Sequence, residues 1–298
     1  MISSALGIAV LAGLGGMLGW GFADFFAKKT IDTIGDTTSL VWAHICGTFL
    51  LATFALYELL SGHALQFPHA PIEWGGLVFF GILQGVVYIF VYRGFGKGQV
   101  AVLNPLFASF SGLTAVLSVL FFGELLTGNL VFALVVVFVG IVLMNIDPSA
   151  LRMQKLAVIK VPGFREVLIA TLLAAIWTVL WNQFIGGKDW VVYALVMYLF
   201  MTIALLVYAA VVKTNLRFSN HSMWVYLLLI GATEVFAYLA ISLGYSATNL
   251  TSVVALLSGA FSLPTIILAR LFLKERVSRL QTIGSLVIIG GIMLVSLL

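Results

Sequence analysis

Long apolar runs, separated only by short polar or charged turns, recur along the whole of this chain. Within each run the apolar positions are continuous and do not alternate with a period of two. That pattern excludes a membrane β-barrel and predicts helices long enough to cross a ~30 Å hydrocarbon core. The runs place ten transmembrane helices at about 5–27, 37–60, 73–94, 99–122, 128–146, 166–186, 190–212, 222–245, 248–272 and 278–297. The expected fold class is therefore an all-α polytopic membrane protein.

The pattern is also written twice. Gly81, Gln84, Tyr88 and Gly94 match Gly231, Glu234, Tyr238 and Gly244 at an offset of 150 residues. Further along, Phe110, Ser111, Thr114, Leu120, Phe121, Glu124 and Gly140 match Phe261, Ser262, Thr265, Leu271, Phe272, Glu275 and Gly291 at an offset of 151. Each copy is expected to hold five spans. Two odd-numbered copies in one chain must lie in the bilayer upside down relative to each other, which is the architecture of alternating-access transporters. The domain expectation is a first repeat over 1–147, a basic connecting loop over 148–165 and a second repeat over 166–298.

Composition reinforces this. The 298 residues are 62% hydrophobic and 9% charged, too little charge to cover a soluble surface. The first run is too long for a signal-peptide core, lacks a basic leader and carries Asp24, so it reads as a mature span. A single cysteine, Cys46, excludes an internal disulfide and a thiolate metal cluster. The net charge of +4 does not form a nucleic-acid patch, because the basic residues are scattered over short loops. They act as topology signals: of 15 Lys and Arg, all but Lys188 fall beside the odd-numbered loops. By the positive-inside rule those loops are cytoplasmic and both termini lie outside.

One charge is out of place. Glu234 lies near the middle of the eighth run, where an ionised carboxylate costs a few kcal/mol or more. It either faces a watery cavity, where it can titrate and couple transport to a proton or cation, or stays protonated and packs against a neighbouring helix. Tyr238, Ser242 and Tyr245 follow it at helical spacing, and Gln84, Tyr88 and Tyr92 draw the matching stripe on the third run. One copy thus has a neutral amide where the other has an ionisable group. Trp20 matches Trp177, with Trp181 and Asn182 one turn on from Trp177 and Thr178; these could line a substrate path or anchor the interface. Asp24 could contact substrate or pair with Lys28 four residues on. His44 in the second run could shuttle protons or pack as a hydrogen-bonding residue. Glu124 and Glu275 end equivalent runs and read as turn-forming residues. Gly94-Phe-Gly-Lys-Gly98 looks like a phosphate loop, but no strand precedes it. Walker, HExxH and GxSxG motifs are absent, so no cofactor or metal is expected.

Leu271-Phe-Leu-Lys-Glu-Arg276 before a Gly-rich last run, Phe121-Phe-Gly-Glu124 with Gly140 after it, and the opening Gly19-Trp-Gly-Phe-Ala-Asp-Phe-Phe-Ala-Lys28 resemble the EamA branch of the drug/metabolite transporter superfamily. The resemblance spans nearly the whole chain. It implies a carrier, not an enzyme, for a small polar metabolite such as an amino acid, a sugar or a related solute, in a prokaryotic cell membrane. It also implies a central cavity lined by spans 1, 3, 4, 6, 8 and 9. Ten-span members are generally described with both termini in the cytoplasm, opposite to the charge count here. The alternatives are an uncoupled facilitator or lipid-linked headgroup flippase, an integral-membrane enzyme, and a purely structural membrane protein.

Overall fold

The structure is a computed structural model and describes residues 4–97, 106–145, 162–272 and 278–298. Those residues form α1 (Ser4–Ile34), α2 (Asp36–Leu60), α3 (Pro71–Lys97), α4 (Phe110–Phe122), α5 (Gly128–Asn145), α6 (Phe164–Ile185), α7 (Trp190–Val211), α8 (Met223–Ala247), α9 (Thr251–Gly259), α10 (Ser262–Phe272) and α11 (Arg279–Ser296). In hydrocarbon a helix satisfies its backbone within one segment, so apolar runs of this length fold no other way. Polar residues mark the ends. The Asp189 carboxylate accepts from the N–H groups of Val191 and Val192 to start α7, and Ser278 with Gln281 forms a capping box on α11.

Seven of the described helical segments are long and apolar enough to cross a membrane, the seventh being Thr251–Leu268. Three more apolar helices, Leu106–Phe122, Gly128–Leu143 and Arg279–Val295, are shorter. The protein is thus all-helical and integral to the membrane, while the expected count of ten full spans is reached only if those three also cross. Several boundaries move. α1 runs on to Ile34, and α3 continues to Lys97, so Gly94–Lys97 is a helix end and not a phosphate loop. The start of the fourth run, most of the 148–165 connector and Glu275 lie outside the described residues.

The ninth run breaks between α9 and α10. Pro264 has no N–H to offer the Ala260 carbonyl one turn back, and Leu263 N–H donates to it instead at 2.9 Å. The Thr265 hydroxyl fills in below the break, donating to Phe261 O at 3.0 Å and to Gly21 O of α1 at 2.9 Å. A side chain at Gly21 would put its Cβ 2.5 Å from the Phe261 carbonyl, so only glycine lets α1 lie against the broken segment.

The packing exchanges partners between the two halves. α1 lies along α8 and α9, as α6 lies along α3 and α4; α2 packs on α8 as α7 packs on α3. α2 crosses α7, α4 crosses α9 and α5 pairs with α11. Swapping first-half for second-half helices leaves this pattern unchanged, the signature of a twofold relation. The strongest contacts run between the halves, so neither half is a separate body. The bundle of α1, α2, α8 and α9 faces that of α3, α4, α6 and α7, with α5 and α11 outside. Large apolar side chains such as Leu11, Phe49, Leu60, Phe132, Leu286 and Leu297 stay exposed on the outer faces, as lipid contact requires.

Candidate functional site

The polar centre sits where the two bundles meet. α8 turns Glu234, Tyr238, Ser242 and Tyr245 onto one face, and all four are buried. Glu234 is 3% exposed in the middle of a 25-residue helix. Its Oε2 accepts a 3.0 Å hydrogen bond from the Tyr198 hydroxyl of α7 and lies 3.6 Å from His44 Nε2 of α2. The second distance is beyond a hydrogen bond but within an ion pair if the imidazole is protonated. His44 is held from its other side, with Nδ1 2.8 Å from the Leu40 carbonyl, and its ring stacks on Tyr198 at 5.4 Å.

The two stripes foreseen on α3 and α8 do meet. Gln84 Nε2 donates to the Tyr238 hydroxyl at 2.7 Å, and Tyr238 donates in turn to the Tyr88 hydroxyl at 3.4 Å. Tyr238 is the hub of the aromatic wall, meeting Trp20, Trp177 and Tyr198 edge-on at centroid distances of 6.0, 6.3 and 5.4 Å. Tyr88 continues the wall to His44 and Tyr92. Trp177 donates through Nε1 to the Phe80 carbonyl and stacks on Trp181, and both are buried among the helices. Buried Nε1 of Trp20 and Trp181, Nε2 of His44, Oε1 of Gln84 and Oγ of Ser242 have no hydrogen-bond partner among the described residues. Leaving such groups unpaired costs about 1–3 kcal/mol each.

Of the other foreseen residues, Asn182 lies at a helix end and Asp24 lies near Glu234. Asn182 is used structurally: its Oδ1 accepts from Thr251 at 2.7 Å and its Nδ2 donates to the Tyr245 carbonyl at 3.4 Å, tying α6, α8 and α9 together at one end. Asp24, one turn beyond Trp20, is half-buried and close enough to Glu234 and Tyr92 for their charges to interact. At the same end as Asn182, Glu124 reaches across to the start of α9. It accepts from Ser252 N–H at 3.0 and 3.1 Å and from the Ser252 hydroxyl at 2.8 Å. It therefore caps a helix of the other half, a longer-range task than the turn expected of it. Burial pushes the Glu124 carboxyl up from its ordinary value, against the pull of those donors.

Tyr198 was not singled out in the sequence, α7 was not expected to line the centre, and α2 was represented there by His44 alone. The signal was present. His44 and Thr48 correspond to Tyr198 and Thr202 at an offset of 154. The pairs touch in space, with the Thr48 and Thr202 hydroxyls 2.8 Å apart.

With this geometry in hand the chain can be set beside known proteins. The family model of the EamA-like transporter family matches residues 7–146 and 164–297. The chain belongs to this family. Its two matched segments correspond to the two halves that exchange partners in the packing. A crystal structure of a protein 16% identical in sequence superposes with a TM-score of 0.75, covering 97% of this chain and 98% of that one, a likeness of fold. No curated protein sequence matches. Membership makes this EamA-like protein a membrane transporter of the drug/metabolite superfamily, working on a small molecule within a lipid bilayer, and speaks against an enzyme.

Proposed function

We propose that the protein is a secondary active transporter that carries a small polar solute by alternating access and is coupled to protons, or to another cation, through Glu234. The carrying observation is the burial of Glu234 at mid-span between two bundles, with Tyr198 donating to it and His44 at 3.6 Å. A carboxylate in that position is expensive unless it has a task. Gln84, Tyr88, Tyr238, Trp20 and Trp177 supply the contacts to the solute, with Trp181, Tyr92 and Asp24 at the margins of the same wall. Ten spans in two inverted repeats, divided at about 147 and 166, fit the partner exchange and the family match. The moving bodies are then the mixed bundles, because each repeat packs more on the other than on itself. The distribution of Lys and Arg supports termini on the outer side of a prokaryotic cell membrane.

Flux into proteoliposomes across an imposed pH gradient tests the coupling. Wild type should concentrate solute, while Glu234→Gln should lose uphill transport and its pH dependence. Equal transport by the variant, with an unchanged pH profile, would sink the coupling and point to an uncoupled facilitator or a headgroup flippase.

A further inference from the structure

The two bundles are fastened to each other differently at their two ends. Around Asn182 the bonds cross from the α3–α4–α6–α7 bundle to the α1–α2–α8–α9 bundle. Asn182 of α6 accepts from the Thr251 hydroxyl of α9 at 2.7 Å and donates to the Tyr245 carbonyl of α8 at 3.4 Å. Glu124, at the end of α4, accepts from the N–H and hydroxyl of Ser252 on α9. Just beyond α6, Gly187 N–H donates to the Ser246 carbonyl at 3.1 Å, and the Ser246 hydroxyl donates to the Lys188 carbonyl at 2.7 Å. At the opposite end the bonds from Lys97 to Glu166, from Thr171 to Leu106 O and from Thr265 to Gly21 O each stay within one bundle. α2 does reach across there, but to the connector between α7 and α8, where Trp42 Nε1 donates to Leu216 O at 2.9 Å. The packing differs in the same sense. α6 packs on α8, whereas the pair equivalent by the twofold, α1 and α3, has no comparable packing among the described residues. The sequence carries the difference too. At the offset that pairs Trp177 with Trp20, the counterpart of Asn182 is Phe25, whose ring turns to Phe26 and to Phe272 of α10. A phenyl ring cannot form the bonds that Asn182 makes.

We propose that Asn182 and Glu124, with Thr251 and Ser252 facing them, are the latch of a gate. The structure is then the state closed at the Asn182 end, and access alternates when this set breaks and the bundles rock. The inference rests on the alternating-access reading, with the mixed bundles as the moving bodies. Between the two ends the bundles meet at two close crossings. The Thr48 and Thr202 hydroxyls are 2.8 Å apart where α2 crosses α7, and a Cβ at Gly259 would collide with Ser111 where α4 crosses α9. These crossings are the pivot, because they hold the bundles together at mid-span while either end parts. A polar latch suits the task. When it opens at a helix end, water replaces each lost partner, so a single bond holds the closed state by only about two- to tenfold in the closed-to-open ratio. Several such bonds keep the end shut at rest and still let it open.

Spin-label distances in proteoliposomes read the gate directly. Cys46, the one cysteine, is replaced by alanine, and cysteines are placed in pairs at exposed positions. Gln183 of α6 with Ala247 of α8 reports the latched end, and Arg165 of α6 with Lys29 of α1 reports the other. The parent should give one dominant short distance for the first pair. Thr251→Val keeps the side-chain shape and removes the bond to Asn182. It should raise the ratio of long to short distances in the first pair about two- to tenfold and shorten the second pair in step. Asn182→Leu removes both of its bonds and should shift the ratio further. Lys97→Ala breaks a bond inside one bundle and should leave both distributions as in the parent. If Asn182→Leu does not fold, Thr251→Val decides alone. Distances that ignore Thr251→Val, that lengthen at both ends, or that respond equally to Lys97→Ala overturn the gate. If the distances respond as expected while Glu234→Gln keeps wild-type flux and pH profile, the coupling fails and the gate stands. Proton-coupled flux with distances that ignore Thr251→Val does the reverse.

Discussion

Replacing Gly231 by alanine should damage both stability and transport, because this glycine sets the distance between α2 and α8. A Cβ there would lie 2.7 Å from Gly47 N, 2.9 Å from Ala43 O and 3.1 Å from Gly47 Cα. All three are backbone atoms, so no side-chain rotation can relieve the contact. Ordinary contact begins at 3.4 Å, which obliges the helices to part by 3.4 − 2.7 = 0.7 Å at the crossing. Overpacking of this kind costs about 1–3 kcal/mol. For a chain of this size that corresponds to a fall of several degrees in melting temperature, on the order of 2 °C per kcal/mol. His44 and Glu234 each lie three residues from this crossing, so their 3.6 Å approach opens with it and coupled flux should fall further than stability alone explains. Gly290→Ala is the control, since nothing lies within 4 Å of a Cβ at that position. Melting in detergent and uptake into proteoliposomes provide the two readouts. A Gly231→Ala protein that melts at or above wild type, or a Gly290→Ala protein that falls as far, would refute the close crossing.

Tyr198→Phe removes the 3.0 Å bond to Glu234, a buried bond worth about 0.5–1.5 kcal/mol, and should cut proton-driven flux severalfold with helicity by circular dichroism unchanged. Thr48→Val and Thr202→Val should show a coupling of about 1 kcal/mol in a double-mutant cycle of unfolding; a coupling of zero would mean the 2.8 Å contact contributes nothing. Glu124→Ala leaves the Ser252 N–H and hydroxyl unpaired at a buried helix start, and should cost about 1–3 kcal/mol. Because burial holds the Glu124 carboxyl above its ordinary value of 4.5, the folded state binds more protons than the unfolded state between 4.5 and that raised value. Wild type should therefore gain stability relative to Glu124→Gln as pH falls through this window, and parallel profiles for the two would refute the assignment. Lys188→Ala, which removes the ion pair with Glu73 and the ammonium 5.8 Å from the Tyr193 ring centroid, should lower the melting temperature by no more than a few degrees.

Much of the fold could be read in the chain because a bilayer leaves few choices. Backbone polar groups without water must pair within a segment, so continuous apolar runs are helices whatever surrounds them. The duplication added the relation between the halves, and with it the pairing of Gln84 and Glu234 as equivalent positions. Tyr238, two helical stripes and a buried carboxylate were legible for the same reason: a polar residue inside an apolar run is conspicuous. Asn182 was conspicuous on the same grounds, yet it ties helix ends together. A single chain does not show which neighbour a polar residue finds.

Helix contacts decided the rest. In lipid the partners of a helix follow from the fit of small residues such as Gly47 and Gly231, and burying apolar surface alone does not choose among them. That fit brings α2 and α7 into the centre, adds Tyr198 and His44 to Glu234, and turns Glu124 from a local turn residue into a cap on the opposite half. By itself the sequence determined what each segment is: helical, membrane-embedded, duplicated, and carrying one charge that needs a reason. The tertiary structure decided what each segment touches, because hydrogen bonds and close contacts depend on angstroms across helices that lie 150 residues apart in the chain.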